Sequence, residues 1–451
     1  AILVHMNDSG DRNLEEIAGR RTDESLESST GVGGRWTLAG QCVAQIFSLA
    51  VIAVLYRTVD QSAFGLMAMA LPIVLMLRGL AILCWQAALV QCPVLSHNDA
   101  SRYFWGNLIT ALFATGLTVA AAYGFSLWYR VPEVFSVGTM LSGTIVIAAL
   151  ATFAHALYER RMDWRRLTTM RIAAQGLAGC LTIVMALRGM QIAALIAQQY
   201  AEWSVLALLL WAREPWRPTW RCGVGSWRPV ITFNLGYAWA SMMFIAIESI
   251  DKVILGWWQG TTIAGRAAIG VYAQMYLLTQ RPVNMLTSAW GSLLLSARSR
   301  AGADVAVSAR LTHNLFGWAA VVLWPLAVGG VCVGDDLVTV LGGDTWRVAG
   351  TAIRILAVLT AVRGFINLAG NFFTVRRKTG LMALLATVHV IALGGILWAA
   401  SMTGARASLQ AMTFTTLVAG TYVAAMVIFG GLYLGIACRV AAIPWRGLWS
   451  V

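Results

Sequence analysis

Residues 63–75 read AFGLMAMALPIVL and residues 268–283 read AIGVYAQMYLLTQRPV, so one apolar pattern occurs twice in the chain. Each stretch places a glycine directly after a large apolar residue. Each also carries a proline, Pro72 or Pro282, inside an otherwise helical pattern. The two copies are offset by about 205 residues, close to half of the apolar part of the chain. The repeat indicates two similar halves.

Composition places these halves in a membrane. Apolar residues make up 59% of the chain and charged residues only 12%, about half the charged fraction of a soluble protein. Runs of about 20 mostly apolar residues follow one another, and each can cross a hydrocarbon core of ~30 Å. Because a lipid-exposed backbone must satisfy its own hydrogen bonds, we predict an all-α polytopic membrane protein.

We predict twelve membrane-spanning helices, six in each half. Their ranges are 36–56, 65–85, 104–128, 137–158, 168–187, 191–212, 229–257, 267–295, 313–333, 348–373, 380–401 and 409–437. Because six is even, both halves start on the same side of the membrane. The repeats are then parallel and related by an axis along the membrane normal. We expect two six-helix lobes around a central cavity.

The chain divides into five segments on this basis. They are a cytoplasmic tail (1–35), an N-lobe (36–212), a cytoplasmic inter-lobe loop (213–228), a C-lobe (229–437) and a short cytoplasmic tail (438–451). The first tail is rich in Ser, Asp, Glu and Gly and has no apolar period, which predicts disorder.

Basic residues predict the orientation. With both termini in the cytoplasm, the inside segments hold 21 of the Lys and Arg residues and the outside loops hold six, as the positive-inside rule requires. The net charge of +13 is thus spread over seven segments. This spread disfavours nucleic-acid binding and favours attraction to anionic lipid headgroups.

The predicted tenth helix carries a polar stripe. In AVRGFINLAGNFFTVRRK (361–378), Arg363, Asn367 and Asn371 recur every four residues and share one helical face. Arg281 also lies near the middle of a predicted span, and Arg78 lies somewhat nearer a span end. An arginine near mid-membrane costs ~2.5–3.5 kcal/mol on insertion scales, so it should face a cavity or a partner. The alternative is that these groups hold helices together through interhelical hydrogen bonds.

Three stretches, 56–91, 250–300 and 341–380, resemble the Wzx-type polysaccharide exporters. This family is a branch of the multidrug/oligosaccharidyl-lipid/polysaccharide (MOP) exporter superfamily, whose members share the fold of the multidrug and toxic compound extrusion (MATE) transporters. The chain departs from the family pattern at Gln61-Ser62-Ala63 and around Arg78 to Trp85. The resemblance implies a flippase that moves an undecaprenyl-diphosphate-linked oligosaccharide from the cytoplasmic to the outer leaflet by alternating access.

The polar residues within the spans can be assigned roles on that basis. Arg363, Arg281 and Arg78 would bind the diphosphate, since a guanidinium pairs with phosphate oxygens in a bidentate manner. Asn367 and Asn371 would bind sugar hydroxyls. All five are expected to line the central cavity.

An ion gradient is the expected energy source, because the chain contains no GxxxxGK[ST] nucleotide-binding loop. Glu202 lies in the middle of a span and could exchange a proton. Glu248 and Asp251 are further candidates for coupling to H⁺ or Na⁺. Glu248 and Lys252 are four residues apart, so a structural ion pair between them is the alternative.

Three other functions fit the sequence less well. A multidrug exporter would favour carboxylates in its cavity, whereas the spans here hold more cations than acids. A flippase for lipid II, the peptidoglycan precursor, is closer, because it too moves a polyprenyl diphosphate. A membrane-embedded glycosyltransferase or polymerase usually has a sizeable extramembrane loop, and every loop here is short.

We therefore expect a transporter and not an enzyme, with no cofactor or metal. We expect it in the bacterial inner membrane, where a polysaccharide polymerase could associate with it.

Overall fold

The computed structural model describes residues 40, 43–91, 95–220, 228–301, 305–375 and 379–441, and within these it contains helices and no strands. The α-helices, numbered α1 to α13 in chain order, are Val43–Thr58, Gln61–Gln91, His97–Tyr129, Glu133–Arg160, Trp164–Leu187, Gln191–Arg213, Arg228–Ile247, Ile250–Gln259, Ile263–Ala301, Val305–Gly342, Gly350–Val375, Thr379–Arg406 and Ala411–Ala441. A 3₁₀-helix, Asp344–Ala349, precedes α11. Helices α1–α6 form the first half and α7–α13 the second.

The predicted all-helical membrane fold is confirmed. Nine helices of the described part are long and apolar enough to cross a bilayer. Large apolar side chains such as Phe113 and Ile391 point outward and are mostly exposed, as they would be against lipid. Two further apolar helical segments are shorter: Val43–Thr58, which is α1, and Ala238–Ile247, which is the last part of α7. The count of twelve crossings therefore stays a prediction.

The prediction that residues 229–257, the seventh span, form a single helix is wrong. Helix α7 ends at Ile247 and α8 begins at Ile250, and Ser249 between them has φ −123° and ψ −18°. The break exposes backbone carbonyls, and side chains bind them. The Lys252 Nζ donates to the Glu248 carbonyl at 2.6 Å, and the Tyr422 hydroxyl donates to the Ile247 carbonyl at 3.1 Å. An interruption of this kind within a membrane needs such substitutes for the lost helical hydrogen bonds.

The two long helices of the second half extend beyond their predicted spans. Helix α9 covers 263–301 instead of 267–295, and α10 covers 305–342 instead of 313–333. At 1.5 Å per residue each is longer than the ~30 Å hydrocarbon core. Hydropathy marks only the part of a helix that lies in hydrocarbon, so it cannot show where such a helix ends.

The two halves cross where α2 meets α9, at the repeated glycines. A Cβ atom added to Gly65 would lie 1.8 Å from the carbonyl oxygen of Arg266, and one added to Gly270 would lie 2.1 Å from that of Gln61. Residues 61 and 266, like 65 and 270, are offset by the repeat length. The two contacts are therefore equivalent by the repeat, as expected for two helices related by a two-fold axis. Only glycine permits this approach of one backbone to another.

At the same end of the molecule, the 3₁₀-helix Asp344–Ala349 joins the two halves. We call this end of the molecule the closed end. Trp346 is only 1% exposed; its ring stacks on Tyr56 with centroids 3.9 Å apart. Its Nε1 donates to the Tyr56 carbonyl at 2.7 Å, and the Gln61 side chain donates to the Thr345 carbonyl at 2.8 Å. The loop before α11 thus joins the second half to the first.

Replacing Gly65 with Ala should destabilise the protein, although alanine is the better helix former. The added methyl would collide with the Arg266 backbone, and overpacking of this kind costs about 1–3 kcal/mol. The midpoint of thermal unfolding in detergent measures the effect. Gly116→Ala in α3 is the control, because a Cβ there meets nothing within 4 Å. Equal midpoints for the two variants would contradict the close crossing.

Candidate functional site

Two arginines and a glutamate converge where the halves meet. Arg78 on α2 and Arg281 on α9 both lie within electrostatic reach of Glu202 on α6. The Arg78 guanidinium lies over the Trp203 ring, 5.0 Å from its centroid. The Arg281 Nη1 donates to the Ser48 hydroxyl on α1. The structure thus brings together three of the predicted site residues, from both halves, in one partly buried group that we call the interface cluster.

Helix geometry places these two arginines at similar depth. Arg78 lies 17 residues after Gln61, the start of α2, and Arg281 lies 18 residues after Ile263, the start of α9. At 1.5 Å per residue each is about 26 Å along its helix. Because the two helices are repeats that cross near the same end, equivalent steps along them lead to a similar depth in the molecule. The cluster contains two cations and one carboxylate, so it attracts anions when its members are ionised.

Arg363 is held inside the second half. Only 5% of the residue is exposed, and its guanidinium forms an ion pair with Glu248, whose side chain is 45% exposed. The Tyr422 hydroxyl lies beside the same guanidinium. This arrangement satisfies the requirement that a buried arginine have a partner. It also means that another anion could pair with Arg363 only after Glu248 had moved.

The structure corrects the partner expected for Lys252. The ammonium pairs with the two carboxylate oxygens of Asp251 at 3.0 and 3.2 Å. With Glu248 it forms a hydrogen bond only to the backbone oxygen and not to the carboxylate. The Tyr272 hydroxyl also donates to Asp251, and the ammonium lies 3.8 Å from the centroid of the Tyr276 ring. The helix break turns Glu248 away from the direction that an unbroken helix would give it. Spacing by four residues therefore did not predict the pairing.

Arg363 and Asn367 line a cavity of about 20 Å³ between α7, α11, α12 and α13, which has room for about one water molecule. His389 and Tyr433 also line it. Among the described residues, no group forms a hydrogen bond with the Arg363 Nε, the His389 Nε2 or the Tyr433 hydroxyl. The side chain of Asn371 lies outside the described residues. Arg363 and Asn367, the described part of the polar stripe of α11, thus face the interior of the second half.

Sequence reasoning missed the aromatic members of these clusters. Trp203 follows the predicted Glu202 directly, and an aromatic next to a carboxylate within a span was the available signal. Tyr272, Tyr276 and Tyr422 gave no signal, because tyrosines are common in apolar helices and only the fold brings them to the charged residues.

Solved structures show the same fold. The chain aligns over 90% of its length with 99% of an inward-facing multidrug resistance MATE family transporter of the MOP superfamily, at a TM-score of 0.64 and 13% identity. The predicted MATE-like architecture is confirmed by this match.

Sequence comparison gives the family. The chain is 21% identical to the teichuronic acid biosynthesis protein TuaB of Bacillus subtilis, over 70% of this chain and 65% of TuaB, so it spans just under two thirds of that relative. It is 23% identical to the succinoglycan biosynthesis transport protein ExoT of Rhizobium meliloti, over 80% of this chain and 73% of ExoT. The family described as "Polysaccharide biosynthesis protein" matches residues 54–351. The predicted kinship is confirmed, and the chain belongs to this polysaccharide biosynthesis protein family.

Proposed function

We propose that this protein is a flippase that moves an undecaprenyl-diphosphate-linked oligosaccharide from the cytoplasmic to the outer leaflet for surface polysaccharide synthesis. The observation that carries the proposal is the interface cluster, in which Arg78 and Arg281 come from opposite halves. A diphosphate diester bears two negative charges, which two guanidiniums can balance. Membership in a polysaccharide biosynthesis family and the name of ExoT, a succinoglycan transport protein, support this choice of substrate.

The binding chemistry follows from the cluster. Each guanidinium offers a planar fork of donors that suits two phosphate oxygens. Trp203 holds Arg78 in place through a cation–π contact, and Ser48 holds Arg281. Asn367 and Asn371 would bind sugar hydroxyls once the second half opens. A carrier of this kind needs no covalent step, so we propose a transporter and not an enzyme.

The closed end fits alternating access. Counting basic residues places the loops of this end on the outer side of the membrane. The structure then represents a state closed to the outside, in which a substrate would enter from the cytoplasmic leaflet. We propose a bacterial inner-membrane location with both termini cytoplasmic, and association with polymerase machinery at the outer face.

The predicted N-lobe (36–212) and C-lobe (229–437) are proposed as the two moving bodies. The described part of the inter-lobe loop is attached to the first. Arg161 forms a bidentate ion pair with the buried Glu214, at 2.6 and 2.9 Å, and Trp216 packs among Phe104 and Phe153.

Coupling to an ion gradient is proposed through Glu202. Its carboxylate competes with an anionic substrate for the same two guanidiniums, so neutralising it would raise the net positive charge of the site. Glu248 is a second candidate, because its side chain is 45% exposed and balances Arg363. Either residue would link the charge state of a carboxylate to the availability of an arginine.

Arg281→Ala should reduce glycan export at least tenfold, because one of the two charges that balance the diphosphate is lost. The measurement is the surface polysaccharide of a deletion strain complemented with each variant, normalised to protein in the membrane. Arg354→Ala is the control, since Arg354 pairs with Asp335 at an exposed position. Accumulation of the undecaprenyl-linked saccharide in the cytoplasmic leaflet would identify the substrate. Accumulation of lipid II would instead indicate a peptidoglycan precursor flippase, and normal export would contradict the role of Arg281.

A pair of variants separates binding by Arg363 from its structural role. Glu248→Gln alone should destabilise the protein, because it leaves a buried guanidinium without its counter-ion. The cost should be below the ~3–5 kcal/mol of a fully buried pair, since the Glu248 side chain is 45% exposed. Arg363→Met with Glu248→Gln should regain most of that stability and still fail to export glycan. Thermal unfolding and the export assay are run on the same membranes. Full export by the double variant would show that the ion pair is only structural.

Glu202→Gln should make transport insensitive to the coupling ion. Proteoliposomes that contain a fluorescent polyprenyl-diphosphate saccharide would be assayed with and without imposed H⁺ and Na⁺ gradients. The wild type should move the lipid faster with one gradient, and the variant should move it at one rate under all conditions. Ion coupling would be contradicted if neither gradient changed the rate at which the wild type moves the lipid.

A further inference from the structure

The break between α7 and α8 is built around a cation. The Lys252 ammonium donates to the backbone oxygen of Glu248 at 2.6 Å and to both carboxylate oxygens of Asp251 at 3.0 and 3.2 Å. Asp251 is fully buried and Lys252 is 7% exposed. The ammonium thus lies in the interior of the second half, surrounded by oxygen acceptors at the end of an interrupted helix.

Aromatic groups complete this environment. The Tyr276 ring presents its face to the ammonium, with the centroid 3.8 Å away, and the Tyr272 ring centroid is 5.7 Å away. The Tyr272 hydroxyl donates to the far oxygen of Asp251 and fixes the carboxylate. A carboxylate, a helix-terminal carbonyl and an aromatic face are together the kind of donor set that binds a free monovalent cation.

We propose that the break is a monovalent-cation site whose permanent occupant is the ammonium of Lys252. The occupant is covalently attached, so it cannot leave when the transporter changes state. Asp251 therefore keeps one counter-ion throughout, and of the three carboxylates considered for ion coupling it is the one that does not exchange an ion. This assignment concerns the architecture of the second half and stands apart from the identity of the transported lipid.

Charge balance supports the assignment. Four ionisable side chains meet around the break, and they form two neutral pairs, Asp251 with Lys252 and Glu248 with Arg363. The first pair is closed to solvent, whereas the Glu248 side chain of the second pair is 45% exposed. If the ammonium were removed, the buried carboxylate would be left without a counter-ion and would need a free cation in its place.

Lys252→Ala tests this directly, because it removes the ammonium and three methylene groups and leaves space for n-propylammonium. Purified wild type and variant would be unfolded thermally in choline chloride, sodium chloride, ammonium chloride or n-propylammonium chloride at equal ionic strength. We expect the midpoint of the variant to be lower than that of the wild type in choline and to rise by about 2 °C or more with n-propylammonium. The midpoint of the wild type should be the same in all four salts.

Two controls separate the effect of charge from that of shape. 1-Propanol at the same concentration has the same shape without the charge and should not raise the midpoint. Asp251→Asn combined with Lys252→Ala removes the carboxylate as well, and it should be more stable than the single variant in choline and indifferent to the cation. A single variant that folds and shows no preference for small cations over choline would overturn the proposal.

If the alanine variant cannot be purified, Lys252→Met replaces it. Methionine fills the space of the removed methylene groups, so the probes are the smaller cations ammonium and sodium. Recovery of folded protein only when Asp251→Asn accompanies the change would support the proposal, since it identifies the unbalanced carboxylate as the defect. Failure of that double variant as well would overturn it, because loss of packing would then be the cause.

Discussion

Charge within hydrocarbon must be balanced, and this constraint orders the interior of the protein. Each of the four basic side chains discussed has a specific neighbour: Glu202 near Arg78 and Arg281, Glu248 on Arg363 and Asp251 on Lys252. An arginine at mid-membrane costs ~2.5–3.5 kcal/mol even on lenient scales. The sequence therefore keeps these cations only where the fold supplies a carboxylate or an aromatic face.

The two groups of charges differ in how the carboxylate is held, and this difference separates structural from functional use. Asp251 receives hydrogen bonds from Lys252 and Tyr272 and is closed to solvent. Glu202 is partly exposed and lies within electrostatic reach of two guanidiniums from opposite halves. A carboxylate held by buried hydrogen bonds stabilises one arrangement, whereas an accessible one near two guanidiniums can give way to an incoming phosphate.

The fold could be predicted from sequence because hydropathy and the repeat are local signals. About half of the predicted spans agree with the observed helices to within five residues at both ends; the sixth, for example, is observed as Gln191–Arg213 against a predicted 191–212. Hydropathy averaged over a span did not predict the break at Ser249, because long apolar segments lie on both sides of the short run from Glu248 to Lys252. The polar run from Glu248 to Lys252, with a serine that favours helix starts, was the signal that was present.

The candidate site was predictable in its residue types but not in its pairings. Arginine in a span predicts a partner, and Arg78, Arg281 and Arg363 each have one. Which partner each would take depends on helices that are distant in sequence, and on the break that redirects Glu248. Asn367 follows Arg363 on the same helical face, as its spacing requires, yet that face lines a cavity within the second half. Spacing gives the face of a helix, but only packing shows what the face meets.

The crossing of α2 and α9 joins the closed end to the interface cluster. Gly65 and Arg78 lie 13 residues apart on α2, and Gly270 and Arg281 lie 11 apart on α9, so both arginines are about 17–20 Å from the crossing along their helices. Opening the closed end requires the two glycines to separate. Because each glycine and its arginine lie on the same helix, we expect a rotation that parts the glycines to change the distance between the arginines as well. The same two helices can therefore close one side of the membrane and set the spacing of the two charges that would hold a diphosphate.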